Sequence, residues 1–259
     1  SVPVGEIIKR VNTFVNNGYK EIVLTGVDIT DYGKDLPGKP NLFQLVKRIL
    51  NLAPELHRLR LSSIDCAEIS DDFWEILPNP RLMPHLHLSL QSGNNMILKR
   101  MKRRHTREQA IDFCNNVVRK RNDVVFGADI IAGFPTETNK MFDDTIRLID
   151  ECNLTHLHIF PFSPRSFTPA AKMPQLSKET ILDRAKQLRI YGEKKLEKYL
   201  KNQIGNKTSM LVENSDNNES FGKTKHFTKI SLDQNIPTGS LVNCEIYDLK
   251  NNILHAKLI

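Results

Sequence analysis

Short apolar segments alternate with amphipathic segments along most of this chain, and that alternation constrains the fold more than any other feature. Apolar runs bounded by glycine or polar residues predict strands at 21–26, 59–64, 85–90, 124–131 and 156–160. Apolar residues spaced three or four apart predict helices at 6–17, 42–52, 72–77, 107–118 and 140–152. Repeated strand–helix units imply parallel strands joined by right-handed crossovers, so we expect an α/β fold.

Glycine and polar residues gather at the end of each predicted strand. In parallel barrels the loops at the carboxyl ends of all strands build the active site, whereas open doubly wound sheets bind ligands mainly at one switch point. The pattern therefore favours a curved, partial barrel over an open sheet. The strand-end residues are Thr25, Gly26, Asp28, Ser62, Ser63, Gln91, Ser92, Gly93, Asp129, Gly133, Ser163 and Arg165.

The pattern changes near residue 200. Residues 177–200 form a charged helical stretch, after which apolar residues alternate with polar ones. This alternation predicts strands at 208–213, 221–230, 241–247 and 253–259, with a polar turn at 214–220. Short strands linked by turns are typical of a small antiparallel β-barrel. We therefore predict two domains, 1–200 and 201–259.

The overall charge is moderately basic. The formal net charge is +7, the isoelectric point is about 9.2 and 39% of the residues are hydrophobic. This is compatible with RNA binding, although many basic proteins bind no nucleic acid. No apolar run reaches the roughly 18 residues of a membrane span, and the first residues do not resemble a signal peptide. We expect a cytoplasmic protein without a membrane partner.

The four cysteines, Cys66, Cys114, Cys152 and Cys244, stand singly along the sequence. None lies within a CxxC or CxxxC spacing of another, whereas cysteines that hold a metal or cluster usually come in close pairs or triplets. Disulfides are not expected in a reducing compartment. We predict that all four behave as small buried hydrophobic residues.

Two basic segments are candidates for contact with phosphates. The densest run includes Lys99, Arg100, Lys102, Arg103 and Arg104, directly after a predicted strand end. Such a run either meets an anionic substrate or is an ordinary solvated surface. In the tail, Lys223, Lys225 and Lys229 stand among Phe221 and Phe227. That mixture suits RNA, but core aromatics beside a lysine-rich strand edge would also explain it.

Four histidines occupy alternate positions on two predicted strands: His85, His87, His156 and His158. Alternation places each pair on one face of its strand. Metal binding would need carboxylate or thiolate ligands that the sequence does not identify, so hydrogen-bonded histidines inside a barrel are the favoured interpretation. Among the acidic residues, Asp129 is the strongest candidate for a ligand role, because an acid in an apolar strand is costly without a partner. Asp28 is a further candidate, and Asp65 and Glu137 are candidates for either a ligand role or a helix cap.

Several motifs occur together in a characteristic order: LTGVD at 24–28, PHLHLSLQSG at 84–93, KRMKR at 99–103, DIIAGFPTET at 129–138, FPFSPR at 160–165 and TPA at 168–170. In this order they resemble the radical S-adenosylmethionine methylthiotransferases. RMKRRHTR at 100–107, GFPTET at 133–138 and KMPQ at 172–175 resemble the branch that modifies threonylcarbamoyladenosine. The resemblance implies a partial parallel (βα) radical S-adenosylmethionine barrel over 1–200 and a TRAM-like RNA-binding barrel over 201–259.

The resemblance also implies a reaction and the residues that serve it. Members of this branch transfer a methylthio group to C2 of N6-threonylcarbamoyladenosine next to the tRNA anticodon, using S-adenosyl-L-methionine and [4Fe-4S] clusters. Expected cosubstrate residues are Gly26, Asp28, Ser62, Gln91, Ser92, Asp129, Phe160 and Phe162. Expected RNA-binding residues are Lys99, Arg100, Lys102, Arg103, Arg104, Arg165, Lys223 and Lys225. The expected partner is the anticodon stem-loop, bound by a monomer.

This sequence departs from the family pattern in one respect. The resemblance implies a CxxxCxxC motif before the first residue of the chain, so we expect a truncated barrel that lacks its first strand and its cluster ligands. Such a chain would be inactive alone. A second hypothesis is therefore a non-catalytic tRNA-binding remnant. A third, an ordinary barrel enzyme that uses the strand-end carboxylates, is disfavoured by the complete set of family motifs.

Overall fold

A computed structural model describes all 259 residues. The helices are α1 (Val4–Asn16), α2 (Leu42–Leu52), α3 (Asp71–Ile76), α4 (Asn95–Arg100), α5 (Arg107–Lys120), α6 (Asn139–Glu151) and α7 (Lys178–Lys201). The strands are β1 (Glu21–Leu24), β2 (Arg58–Leu61), β3 (His85–Gln91), β4 (Val125–Ala132), β5 (Leu154–Pro161), β6 (Lys207–Asp216), β7 (Glu219–Thr224), β8 (Lys229–Leu232), β9 (Leu241–Lys250) and β10 (Ile253–Leu258). The predicted α/β class is confirmed.

The chain divides into two compact units. The first unit comprises Ser1–Ser62, Ser70–His85 and Glu197–Ile259, and the second comprises Ser63–Ile69 and Leu86–Leu196. The predicted domain boundary near residue 200 stays a prediction. No helix in the chain combines the length and the apolar character that crossing a bilayer requires.

In the first unit, β1 and β2 pair in parallel, with Glu21 opposite Arg58 and Val23 opposite Arg60. The amphipathic helix α2 contributes a buried face to this unit, and Phe43 packs edge-on against Phe73 of α3 at 5.1 Å between ring centroids. Asn41 begins α2 with a capping box, because its side chain accepts from the Gln44 amide at 2.9 Å.

The remainder of the first unit is a closed five-stranded barrel with the order β10-β8-β7-β6-β9. Its interior is apolar, filled by residues such as Met210, Val212, Ile230 and Leu254, all at most 1% exposed. The predicted barrel is confirmed, but it is not wholly antiparallel, because β10 pairs with β8 in parallel. That parallel pair closes the barrel.

Two turns of the barrel differ from the prediction. The segment 221–230 is not one strand, because a turn at residues 225–228 separates β7 from β8 and holds Phe227 at a φ of 65°. The polar turn predicted at 214–220 is shorter, since β6 continues to Asp216 and β7 begins at Glu219. Asn217 and Asn218 have φ values of 47° and 68°, the left-handed pair that tight hairpins require and asparagine tolerates.

The second unit contains a three-stranded sheet with the order β3-β4-β5. β4 and β5 are parallel, and their register places Asp129 opposite His158. Ile64 forms a parallel bridge with Leu88 beside β3. Helices α5 and α6 belong to this unit, and α5 buries Ala110, Phe113, Cys114 and Val117, the spacing of a single helix face.

The sequence patterns missed helix α4. Residues 95–100 form a short helix whose first turn is capped by Asn94, because its Oδ1 accepts from the amides of Met96 and Ile97 at 3.0 and 3.2 Å. The predicted basic run therefore begins on the last turn of a helix, where cations are favourable beside the exposed carbonyl groups.

Candidate functional site

A pocket of about 380 Å³ opens in the second unit where β3 and β4 end. Its walls come from Gln91 at the end of β3, from Arg100 and Lys102 at the end of α4, and from Ile131 and Phe134 around the end of β4. The short helix Pro169–Lys172 contributes Pro169 and Ala170, next to Thr168. Arg103 also lines the pocket, so segments near the strand ends bring together a polar amide, three cations and apolar side chains.

The turn that follows β3 is shaped by close packing against α6. Gln91 has a φ of 66°, in the left-handed region that non-glycine residues rarely adopt. Gly93 lies so near α6 that a Cβ there would stand 2.5 Å from the backbone of Asp144 and Thr145. The Gly93 amide donates to the Thr145 hydroxyl at 2.9 Å. This contact fixes the turn and leaves Gln91 at the pocket wall.

Ser92 lies away from the pocket. Its side chain is buried, at 1% exposure, with the hydroxyl 3.5 Å from the Thr145 hydroxyl. The Asn94 amide also donates to Ser92 Oγ at 3.3 Å. Of the neighbouring pair predicted to hold a cosubstrate, the structure brings Gln91 to the pocket and uses Ser92 inside the turn.

Some side chains of the basic run have partners within the second unit, and others face solvent. Arg104 does both, because its side chain pairs with Glu68 and is 52% exposed. Arg103 Nη2 donates to Asp65 Oδ2 at 2.9 Å and to the Ser89 carbonyl at 2.7 Å, and Arg104 pairs with Glu68. Lys99 and Lys102 are exposed. The predicted RNA-binding run is therefore partly a structural element, and its exposed charge is smaller than its length implies.

Arg100 joins the run to the loop after β4. Its Nη1 donates to the Thr136 hydroxyl at 2.6 Å. Thr136 has a φ of 69°, so the loop holds a second non-glycine residue in the left-handed region beside this pocket. Sequence reasoning did not identify Thr136, because its position facing Arg100 depends on a fold-level contact.

Asp65 anchors a buried polar group in the second unit. Burial raises the pKa of its carboxyl, but hydrogen bonds from His105 and the Ala67 amide and the charge of Arg103 outweigh burial and lower the pKa to about 2. Asp65 also caps the short helix Cys66–Glu68 by accepting from the Ala67 amide at 3.0 Å. The capping alternative for Asp65 is thus the one that the structure displays.

Glu137, in the GFPTET segment, forms a buried ion pair with α7. Arg184 Nη1 donates to Glu137 Oε2 at 2.8 Å, and the Gly133 amide donates to the same oxygen at 3.1 Å. Burial raises the pKa of the Glu137 carboxyl, and Arg184 opposes that shift. The contact fastens the strand-end loop to α7 and leaves Glu137 out of the pocket.

Aromatic side chains continue the same region towards the end of β5. Phe134 meets Phe162 edge-on, with ring centroids 5.3 Å apart. Phe160 is half exposed, and Arg165 is exposed on the loop that follows. Phe162 therefore contacts Phe134, which lines the pocket. Phe160 and Arg165 face solvent.

Asp129 lies between two of the four predicted histidines. His87 Nε2 is 2.9 Å and His158 Nδ1 is 3.3 Å from the same oxygen, Asp129 Oδ1. Burial raises the pKa of this carboxyl, but hydrogen bonds from both histidines outweigh burial and the net pKa is lowered. The carboxylate that the sequence did not pair with these histidines is supplied by β4.

The other two histidines, His85 and His156, have different neighbours. His85 stacks on Phe227 in the first unit, with ring centroids 5.5 Å apart and planes at 16°. The His156 carbonyl approaches Gly127, where a Cβ would stand 2.9 Å from that oxygen and 2.5 Å from His87 Nδ1. Gly127 therefore makes room for the His87 ring, and His156 is also next to Gly127.

Three predicted cosubstrate residues belong to the first unit. Gly26 and Asp28 line a separate pocket of about 610 Å³ with Ile29 and Tyr32. Asp28 Oδ1 accepts from the Thr30 hydroxyl at 2.7 Å. Ser62 follows β2, and its amide donates to the Leu24 carbonyl at 3.0 Å.

In the barrel of the first unit, the Lys223 side chain and the Lys225 carbonyl contact neighbouring residues. Lys223 Nζ lies 3.7 Å from the centroid of the Phe227 ring and 3.9 Å from Glu213. Arg60 also lies over Phe227, at 4.9 Å, and donates to the Lys225 carbonyl at 3.3 Å. Phe227 is thus held by cations and by His85, which favours the packing alternative over a stacking surface for bases.

The burial of three of the four cysteines agrees with the predicted behaviour as small hydrophobic residues. Cys114, Cys152 and Cys244 are buried, and Cys66 is half-buried. Burial raises the pKa of the Cys66 thiol to about 12 and that of Cys244 to about 11. For Cys114, a hydrogen bond with Cys152 and then burial raise the pKa of the thiol.

Comparisons with known proteins agree with the motifs. Residues 1–149 match the family model of the radical SAM superfamily. The chain is 47% identical over 260 residues to threonylcarbamoyladenosine tRNA methylthiotransferase MtaB of Rickettsia prowazekii, covering 100% of this chain and 61% of that protein. It is 33% identical over 232 residues to the protein of the same name from Bacillus subtilis, covering 87% and 51% respectively.

Among solved structures, coproporphyrinogen III oxidase (HemN) from Escherichia coli, a radical SAM enzyme, has a similar fold. The TM-score is 0.55 at 16% sequence identity, over 74% of this chain and 46% of that one. The chain therefore spans 61% and 51% of the two relatives.

Proposed function

Because the chain belongs to the radical SAM superfamily, we propose that it forms part of an enzyme that methylthiolates C2 of N6-threonylcarbamoyladenosine in tRNA. The observation that carries this proposal is the 47% identity to the Rickettsia prowazekii protein over the whole of this chain. The relative's name states the reaction, and the pocket at the ends of β3 and β4 offers a place for a cosubstrate. The proposed setting is the cytoplasm, with the tRNA anticodon stem-loop bound by a monomer.

The pocket of the second unit fits S-adenosylmethionine in chemical type. Arg100 and Lys102 offer positive charge for a carboxylate, Gln91 offers an amide for polar groups, and Ile131 with Phe134 offers apolar surface for a purine. When bound, this cosubstrate would supply the methyl and adenosyl groups. The residues of the chain would bind and orient it, and Gln91, whose backbone is left-handed, forms part of the pocket wall.

The cysteines of the chain do not fit a [4Fe-4S] cluster. Cluster ligands are thiolates that converge on iron. Burial raises the pKa of the Cys66 and Cys244 thiols, and a hydrogen bond with Cys152 followed by burial raises that of Cys114, so these three favour the protonated thiol. Cys244 is buried on β9, in the barrel of the first unit. No step of the reaction is therefore assigned to these thiols.

A chimera tests the proposed activity. The 260 aligned residues of the Rickettsia prowazekii relative are replaced by this chain, and the chimera is expressed in bacteria that lack the corresponding methylthiotransferase. We expect the methylthio nucleoside in digested tRNA by mass spectrometry. A chimera with Gln91→Ala should yield less product, and Lys201→Gln, a change on the exposed end of α7, serves as the matched control. Unmodified threonylcarbamoyladenosine with a folded chimera would contradict the proposal.

A second candidate function follows from the cysteines: as an isolated polypeptide, the chain binds tRNA without modifying it. Exposed Lys99 and Lys102 would meet phosphates. Each phosphate contact contributes about 0.9 to the slope of log K against log salt for duplex nucleic acid. Lys99→Gln/Lys102→Gln should reduce that slope by nearly two in a tRNA filter-binding titration, and Lys34→Gln/Lys39→Gln should leave it unchanged. One iron–sulfur cluster per chain after anaerobic reconstitution, by iron and sulfide content, would refute this candidate.

A further inference from the structure

The side chains of two histidines and one aspartate lie close together on the three-stranded sheet of the second unit, outside the pocket described above. His87 lies on β3, Asp129 on β4 and His158 on β5, so three neighbouring strands each supply one side chain. One nitrogen of each ring and one carboxylate oxygen all lie within 4.8 Å of one another. We propose that these three side chains form a binding site for a divalent transition-metal ion of the zinc class.

The distances match those between ligands of such an ion. Two ligand atoms bonded to a tetrahedral zinc at about 2.0–2.1 Å lie roughly 3.3 Å apart. His87 Nε2 and His158 Nδ1 lie 2.9 and 3.3 Å from Asp129 Oδ1. A cation at this position would take the place of the two N···O contacts, with each ring carrying its proton on its other nitrogen.

The chemistry of the donors selects the metal. Imidazole nitrogen suits zinc, copper, iron and nickel, whereas calcium and magnesium prefer oxygen alone. Two imidazoles and one carboxylate leave at least one coordination position for water, since only three protein ligands are present. The His158 side chain is 62% exposed, and Asp129 is partly exposed, so an ion can enter from that side.

The fold holds the least exposed ligand in place. The His87 side chain is 9% exposed, and its ring fits against the backbone of β4 only because residue 127 is glycine. A Cβ at Gly127 would stand 2.5 Å from His87 Nδ1. The register of β4 and β5 then sets Asp129 opposite His158. Backbone geometry thus helps to position all three ligands.

A second group in the same unit is a weaker candidate for the same ion. Asp65, Cys66 and His105 also place ligand atoms within 4.8 Å of one another. There Arg103 Nη2 already lies 2.9 Å from Asp65 Oδ2, so a cation would meet a guanidinium at the carboxylate. Asp129 instead pairs with His87 and His158 and with no arginine or lysine.

Equilibrium dialysis of the metal-free 259-residue chain against zinc chloride tests the proposal. We expect one saturable zinc per chain at low-micromolar free zinc. His158→Ala and Asp129→Asn should each weaken binding by at least about ten-fold, since even outer partners of a metal site contribute ten- to hundred-fold. His158 is exposed, so its replacement leaves the fold intact, which circular dichroism checks.

Two control variants locate the ion. His57→Ala removes an exposed histidine of the first unit, and Cys66→Ser removes the thiol of the second group; neither should change zinc affinity. The proposal is overturned if zinc binds only at millimolar concentration, if His158→Ala binds like the unaltered chain, or if Cys66→Ser is the variant that loses zinc. The measurement uses no tRNA and no cosubstrate, so its outcome is independent of the proposed methylthiolation.

Discussion

A buried charge network in the first unit gives the most specific prediction about stability. Glu21 on β1 faces two arginines of β2: its carboxylate lies 3.1 Å from Arg60 Nε and 3.5 Å from Arg58 Nη1. Arg58 is 1% exposed, and its Nη2 donates to the Ser209 carbonyl and hydroxyl at 2.8 Å each. The network thus connects the β1–β2 pair to β6, a barrel strand of the same unit. Glu21→Gln should therefore lower the free energy of unfolding of the first unit strongly.

The magnitude follows from what each substitution leaves behind. Glu21→Gln keeps the size of the side chain but removes the only carboxylate that two buried guanidiniums share, and breaking a buried pair in this way costs about 3–5 kcal/mol. Burial lowers the pKa of Arg58, and Glu21 opposes that shift. Arg58→Met removes the buried charge itself and leaves the Ser209 carbonyl without that donor, which costs about 1–3 kcal/mol. Glu21 then still pairs with Arg60.

The two substitutions should therefore be non-additive. In Glu21→Gln/Arg58→Met one of the two uncompensated guanidiniums is gone, so the double variant should be more stable than the sum of the single effects by about 0.5–3 kcal/mol. Urea unfolding followed by the fluorescence of Trp74 gives the free energies, since this single tryptophan lies on α3 in the same unit. A loss below about 1 kcal/mol for Glu21→Gln, or additivity within about 0.5 kcal/mol, would refute the reasoning.

Three further predictions rest on single positions. Gly127→Ala should weaken zinc binding about ten-fold in the same dialysis, because its Cβ would stand 2.5 Å from His87 Nδ1 and turn the ring. Gly93→Ala should lower the free energy of unfolding in urea by about 1–3 kcal/mol, because its Cβ would stand 2.5 Å from backbone atoms of α6; Gly5→Ala, with nothing within 4 Å, should raise it by up to about 1 kcal/mol. The pKa of Asp65 is about 2 in the fold and 3.8 without it, so its stabilisation is present above about pH 4 and lost as the pH falls towards 2. Asp65→Asn should flatten the dependence of the urea midpoint on pH in that window, and an unchanged dependence would contradict the assignment.

Local patterns predicted the secondary structure well because apolar periodicity is a local property. Helix α2 occupies Leu42–Leu52 as predicted from its spacing, and Asn41 supplies the cap. Helix α4 was missed because six residues are too few to show a period, although Asn94 stood at the correct position for a cap. Turns depended on backbone conformation instead, and Phe227 at a φ of 65° divides what reads as one continuous strand.

The candidate site was predicted only in part, because pairing between distant residues depends on strand register. Gln91 lines the pocket at the end of β3, and Arg100, which the sequence offered as an RNA-binding residue, lines the same pocket. The sequence offered Asp129 a ligand role and His87 a hydrogen-bonded one, but it did not join them. Their contact depends on β3 and β4 being neighbours, and the contact with His158 depends on the β4–β5 register. Neither the order of strands in the sheet nor their register can be deduced from a few residues of sequence.

The net charge counted from the sequence differs from the positive charge that the structure leaves exposed for binding. The chain has a formal net charge of +7, and its densest group of basic residues is the run from Lys99 to Arg104. Arg103 and Arg104 pair with carboxylates of the same unit, and Arg100 bonds a threonine, so their guanidiniums hold loops together. A buried or paired cation displaces few counterions from a polyanion. The salt dependence of tRNA binding should therefore follow the exposed lysines, Lys99 and Lys102, and not the length of the basic run.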